Sequence, residues 1–196
     1  MRSKNKQAPQ VVVTAPTVVA TAGGDPHKTG GFVPGYPAAI RTYYSPVDDV
    51  HGAILELVKG ARHSLIVAMY GWDDDAMQAA ILEKAHDPSI YVQLTLDSSQ
   101  AAGVHERKLL AAWDAPGTSI ATGRSEKGAI MHLKMLVVDN AVLVTGSTNW
   151  SESGEDKQDN ACVVISDAYV AGEAAARISA IHANMLAKTK PQNAPV

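Results

Sequence analysis

Two apolar runs, Lys134 to Val138 and Ala141 to Thr145, are separated only by Asp139-Asn140. Both residues of that dipeptide tolerate the left-handed backbone of a two-residue hairpin turn, so the runs read as paired antiparallel strands. With such a turn Val138 pairs with Ala141, Lys134 lies opposite Thr145 and His132 lies opposite Ser147. Directly opposite residues have α-carbons about 4.5–5.5 Å apart, and residues two apart share a face. One end of the hairpin then collects the His132 imidazole, the Lys134 ammonium, the Ser147 hydroxyl and the Asn149 carboxamide. Such groups suit the handling of a phosphate. The same count places Asp139 at the far end, on the order of 20 Å away, as a turn residue with no part in catalysis.

The polar stretch Trp150 to Gln158 reads as a loop, and Asp159-Asn160 opens the following strand back at the hairpin's histidine end. Asp159 is therefore a candidate to orient an imidazole, as a carboxylate does for a histidine base. Trp150, adjoining Asn149, is a candidate substrate contact.

The surrounding pattern is that of an α/β domain. Arg41 to Ser45 reads as a strand, and Val50, Ile54, Leu57, Val58 and Ala61 recur at helical spacing. Ser64 to Tyr70 is continuously apolar, as in a strand buried on both faces. Met77, Ala80, Ile81 and Ala85 mark a second helix, with Asp73, Asp74 and Asp75 at its start. Three consecutive side chains do not converge easily on an ion, so capping the helix is their expected role. Ile90 to Leu96 alternates as a strand, Val104 to Trp113 reads as a short helix, and Ser119 to Thr122 as a strand. The motif strand is expected from about Ala129, and another strand covers Ala161 to Ile165. Val170, Ala174, Ile178, Ile181 and Met185 define a long closing helix. Alternating elements followed by adjacent strands imply a mixed sheet flanked by helices.

Residues 1–39 are rich in Pro, Gly, Thr and Ala without periodicity, and are expected to form a flexible segment ahead of a domain spanning 40–190. A basic start, an apolar stretch from Val11 to Ala20 and Ala20-Thr21-Ala22 outline a signal peptide, interrupted by Pro9, Thr14, Pro16 and Thr17. A cytoplasmic location is favoured, with a secreted or periplasmic one if that segment is a leader. No stretch is apolar enough to span a membrane. Cys162, the single cysteine, excludes an intrachain disulfide and a thiolate zinc site and reads as a buried apolar residue. With 17 Lys plus Arg against 20 Asp plus Glu, the formal charge of −3 gives no global reason to bind nucleic acid. Arg107, Lys108, Arg124, Lys127 and Lys134 leave room for a local basic patch.

The pattern His132-X-Lys134-X4-Asp139-X6-Gly146-Ser147-X-Asn149 resembles the HKD signature of the phospholipase D superfamily. Tyr43-Tyr44-Ser45-Pro46, the helix ending Lys59-Gly60-Ala61 and Ser64 to Tyr70 are similar to the first strand-helix-strand of that fold. Gly146 to Ser151 resembles the single-motif members, which are small bacterial endonucleases and the mitochondrial-type phospholipase D and Zucchini group. The likeness covers about residues 41–186. Relatives often carry Glu-Asn where this chain has Asp159-Asn160.

The resemblance implies a phospholipase D-like fold and, because this chain has one motif where an active site uses two, a homodimer with its site on the two-fold axis. It further implies that one neutral His132 attacks phosphorus and the other, protonated, donates to the leaving oxygen. Lys134 and Asn149 from both copies would hold the non-bridging oxygens, and Ser147 would donate a further hydrogen bond or fix the histidine. Neither cofactor nor metal is expected: lysines supply the positive charge, and His51, His63, His86, His105 and His182 are scattered without an evident ligand cluster. Nucleic acid is the favoured substrate. A phospholipid headgroup is the alternative, although only 5% of residues are aromatic, and Trp72, Trp113 and Trp150 would have to supply an interfacial rim. A non-catalytic binding module ranks last, since all the catalytic residue types are present.

Overall fold

A computed structural model describes residues 24–101, 107, 110–111 and 113–189. The possible leader, and most of the helix expected over 104–113, lie outside the described residues. The elements run β1 (Ile40–Ser45), α1 (Val50–Gly60), β2 (Ser64–Met69), α2 (Asp75–Ala85), β3 (Tyr91–Asp97), α3 (Ser98–Ala101), β4 (Ser119–Gly123), β5 (Lys134–Val138), β6 (Val142–Gly146), α4 (Glu152–Asp156), β7 (Asn160–Ser166) and α5 (Ala168–Thr189). The strands form one mixed sheet in the order β1-β7-β6-β5-β2-β3-β4. Pairs β2–β3 and β3–β4 are parallel and the remainder antiparallel.

Helices on both faces explain the composition of the central strands. Every residue of β2 is buried, as expected when neither face meets water. One face packs Leu65, Val67, Met69 and Leu136 with Ile54 of α1 and Ile81 of α2. The opposite face packs Ile66, Ala68 and Val137 with Ala171 and Ile178 of α5. Strand β3 departs from its alternating sequence: Gln93 and Thr95 are buried as well. Helix α5 covers them, and its His182 hydrogen-bonds Thr95 Oγ1 through Nδ1 (2.9 Å) and Ser119 Oγ through Nε2 (2.8 Å). Helices α1 and α2 start on aspartates. Asp49 accepts from Gly52 N (2.8 Å) and Asp74 from Met77 N (3.0 Å), each satisfying an amide that the first turn leaves unpaired.

The hairpin forms, with two corrections. Asp139 and Asn140 both have positive φ (54° and 52°), and Ala141 N donates to Val138 O (3.0 Å), as a two-residue turn requires. However, Ala141 is an extra residue: Val138 pairs with Val142 and Met135 with Thr145. The register is one residue away from that expected: Met135 rather than Lys134 lies opposite Thr145. The motif strand also begins at Lys134 rather than near Ala129, so His132 stands just outside it.

Residues 24–39 form neither helix nor strand up to the start of β1, yet part of this segment is tied to the domain. His27 bridges Asp49 (2.7 Å) and Glu56 (2.8 Å), Lys28 pairs with Asp48 (2.7 Å), and Tyr43 donates to Asp25 (2.6 Å). Among the described residues no helix is long and apolar enough to cross a membrane.

Candidate active site

Four chain segments converge at one end of the sheet. Met69, the last residue of β2, pairs with Lys134, the first of β5. Beyond it Tyr70 N donates to Leu133 O (3.0 Å) and Trp150 N to Gly71 O (3.1 Å). Ser147, just past β6, donates its amide to Ala161 O of β7 (2.9 Å). The segments carrying His132, Lys134, Ser147, Asn149 and Asp159 thus border one sheet end.

His132 is exposed, and its ring meets Tyr70 edge-on, with centroids 4.6 Å apart. Lys134 is buried, at 7% exposure. Its Nζ donates to the His132 carbonyl (3.2 Å) and lies 4.9 Å from the Tyr70 ring centre. Desolvation holds its pKa below the ordinary lysine value. No carboxylate pairs with it among the described contacts, so its charge is available to an incoming anion. Asn149 Oδ1 is buried without a hydrogen-bond partner, and a Cβ on Gly71 would meet the Asn149 amide carbon at 3.3 Å. Gly71 therefore lets that carboxamide sit close against the end of β2.

Ser147 has a structural engagement. Its hydroxyl donates to Asn160 Oδ1 (2.8 Å) and accepts from Ala161 N (3.1 Å), while Asn160 Nδ2 donates to Gly154 O (3.0 Å). The clasp joins the end of β6 to the start of β7. A Cβ on Gly146 would fall 2.0 Å from Ala161 O, so only glycine permits this approach.

Trp150 requires a correction. Its ring is 2% exposed and packs edge-on against Trp72 at 4.9 Å, so it is a core residue and not a substrate contact. Asp159 is exposed, and no hydrogen bond or ion pair joins it to His132 of its own chain. The basic patch is also divided: Arg107, Arg124 and Lys127 are exposed whereas Lys134 is buried. Asp139, at the far end, accepts from the amides of Arg62 (3.0 Å), His63 (2.7 Å) and Ser64 (2.8 Å) and is buried.

Sequence reasoning missed Tyr70, Gly71 and α4, which lies inside the stretch read as loop. Tyr70 had one weak signal, a polar-tipped aromatic closing a strand buried on both faces. It also missed a cluster. His51 of α1, Asp74 at the start of α2 and Glu155 of α4 bring one ligand atom each within 4.8 Å of one another. Burial, reinforced by the neighbouring Asp74 carboxylate, pushes the Glu155 carboxyl up to about 9. The reason is separation: these residues lie on three elements far apart in sequence, each unremarkable alone.

Residues 54–182, well over half of the chain, match the family described as cardiolipin synthase, PLD-like domain. A protein named phospholipase D from Rickettsia bellii (strain RML369-C) is 24% identical over 132 residues, covering 67% of this chain and 63% of that protein. The match thus spans less than two thirds of that relative's length. Among solved structures, a phospholipase D family member, Nuc from Salmonella typhimurium, superposes with a TM-score of 0.67 at 20% identity, over 74% of this chain and 94% of Nuc. NucT from Helicobacter pylori gives a TM-score of 0.67 at 18% identity, over 74% of this chain and 96% of NucT. The seven-stranded mixed sheet with flanking helices is the fold this chain shares with Nuc and NucT, and the chain belongs to the phospholipase D superfamily through its PLD-like domain.

Proposed function

We propose that this protein hydrolyses phosphodiesters through a phosphohistidine on His132, as a homodimer whose active site lies on the two-fold axis, with nucleic acid as substrate. The observation that carries this reading is the pairing of an exposed imidazole with a desolvated, carboxylate-free Lys134 ammonium 3.2 Å from the His132 carbonyl. The arrangement offers a nucleophile and a fixed positive charge to one phosphate.

One imidazole cannot attack phosphorus and protonate the leaving oxygen in the same step, and each chain supplies one such histidine. A second copy about a two-fold axis brings the second imidazole. In the first step the His132 nitrogen bonds to phosphorus as the P–O bond to the leaving group breaks, and the partner's His132 gives that oxygen its proton. In the second step the partner's His132 takes a proton from water. The resulting oxygen nucleophile displaces the imidazole, which leaves with its electron pair. Lys134 and the Asn149 amide hold the non-bridging oxygens in both steps. Ser147 acts through its clasp on Asn160, which fixes the segment bearing Asp159. In this reading Asp159 orients an imidazole, that of the partner's His132, a role supported by its exposure and its lack of a bond to its own histidine.

Nucleic acid is preferred over phospholipid because two of the three tryptophans that might have formed an interfacial rim, Trp72 and Trp150, are core residues. The phospholipase reading is supported by the name of the Rickettsia relative. The test is cleavage of plasmid DNA and single-stranded nucleic acid in excess EDTA, beside a His132→Ala control. Cleavage by the wild type that the control lacks supports the proposal. Headgroup release from phospholipid vesicles without nucleic acid cleavage would replace the substrate and retain the chemistry.

A further inference from the structure

We propose that His51, Asp74 and Glu155 form a binding site for a divalent transition-metal ion of the zinc type, a structural ion that joins α1, the start of α2 and α4. None of the three residues belongs to the set assigned to the phosphate, and the inference stands whether or not the proposed reaction is correct.

The geometry suits such an ion. His51 Nδ1 lies 2.9 Å from Asp74 Oδ2 and 3.5 Å from Glu155 Oε2. Zinc bonds of about 2.0–2.1 Å to nitrogen and oxygen put tetrahedral ligand atoms about 3.3 Å apart, a value the two distances bracket. A mixed set of one imidazole and two carboxylates favours zinc and its neighbours over magnesium or calcium, which take oxygen alone.

Two buried carboxylates meet here with incomplete hydrogen bonding. Glu155 is 3% exposed, and its Oε1 has no hydrogen-bond partner. Asp74 Oδ2 is likewise buried and has His51 Nδ1 beside it at 2.9 Å without an aligned hydrogen bond, while the other oxygen of that carboxylate is engaged by Met77 N (3.0 Å). Two carboxylates this close and this dry repel one another, and a cation or a shared proton must offset the charge. The His51 side chain is 30% exposed, which leaves a route for an ion and a position for a coordinating water.

The scaffold holds the ligands in place without the ion. Asp74 is fixed by capping α2, and α4 is capped by Ser151, whose hydroxyl accepts from Gly154 N (3.0 Å). Asp73 N donates to Trp150 O (2.8 Å), so the start of α2 and the chain entering α4 already adjoin. The Gly154 carbonyl of α4 accepts from Asn160 and from Ser45. An ion at this point would therefore brace the connection that delivers Asp159 and Asn160 to the sheet end.

The experiment uses the full chain, stripped with EDTA, freed of chelator and titrated with ZnCl2 by calorimetry, with bound metal measured after gel filtration. One zinc per chain and a rise of several degrees in melting temperature are expected. Glu155→Gln keeps the shape and removes the charge, so it should fold, bind zinc at least about 100-fold more weakly and show no thermal shift. His132→Ala should bind like the wild type. Less than about 0.1 zinc per chain in the wild type, or undiminished binding by Glu155→Gln, overturns the site and leaves a shared proton as the occupant. If Glu155→Gln does not fold, His51→Gln serves, with the same two outcomes.

Discussion

The two ends of β5 carry the parts of one short motif and are built in opposite ways. At the turn end, Asp139 is buried and saturated: three consecutive backbone amides, from Arg62 to Ser64, donate to its carboxylate. At the other end His132 is exposed, Lys134 is buried with only a carbonyl and an aromatic face for company, and Asn149 Oδ1 is buried without a partner. Buried polar groups are normally satisfied, because an unmet one costs about 1–3 kcal/mol. The Asp139 carboxylate is fully met at its end of the strand, whereas the Asn149 carboxamide oxygen at the other is not, and it is at this second end that we place the phosphate. Proximity in a motif is thus no guide to shared role: Asp139 fastens the α1–β2 connection, whereas the histidine and lysine are the pair to which we assign the phosphate.

The largest effect should come from the open end. His132→Ala is expected to lower phosphodiester cleavage at least about 10³-fold with an unchanged melting temperature, since the ring is exposed; an active variant, or an unfolded one, would break the contrast. Lys134→Met should lose about 10²-fold or more in turnover. It should melt at the same temperature or higher, because it removes a desolvated ammonium while keeping much of the stem's packing; thermal melting beside steady-state rates checks both. Asp139→Ala should do the reverse. Three amides lose a charged acceptor, costing about 3 kcal/mol in a urea titration, while activity per folded molecule stays within a few-fold.

The comparison also bears on how far the amino-acid sequence can be read. Apolar periodicity and the positive-φ tolerance of Asp139-Asn140 were sufficient for the strands, α1, α2, the closing helix and the position of the turn. They could not reveal that Ala141 would remain as an extra residue, because turn chemistry identifies the bend without counting the residues beside it, and a shift of one moves every facing pair. The polar stretch after Asn149 hid α4, a helix of five residues too short to show a period. Trp150 looked like a substrate contact from its place in the sequence, and only the edge-on packing with Trp72 shows it to be core. Tyr70, Gly71 and the cluster of His51, Asp74 and Glu155 depend on contacts between distant segments, which no local pattern encodes.

A smaller effect sharpens the same contrast with a second histidine. His182 is buried, and its two ring nitrogens are met by Thr95 and Ser119. Burial lowers its pKa below 6.5, with only partial opposition from a backbone hydrogen bond to Leu94. The unfolded chain therefore binds the proton more readily than the folded one. The stability this histidine contributes is present above pH 6.5 and is lost as pH falls through the lower folded value. As pH falls from 7.5 to 5, the urea midpoint of the wild type should fall relative to that of His182→Gln, since the other titrating groups are common to both and cancel in the difference.

The central claim is that the open end performs covalent chemistry on phosphorus at His132. Its most direct test is mass spectrometry of peptides from protein quenched in alkali during turnover of a phosphodiester substrate, conditions that preserve a phosphorus–nitrogen bond. The account predicts a phosphoryl adduct on the peptide containing His132, localised to that residue and absent from His132→Ala. Full turnover in that variant, or an adduct confined to another residue, would contradict it.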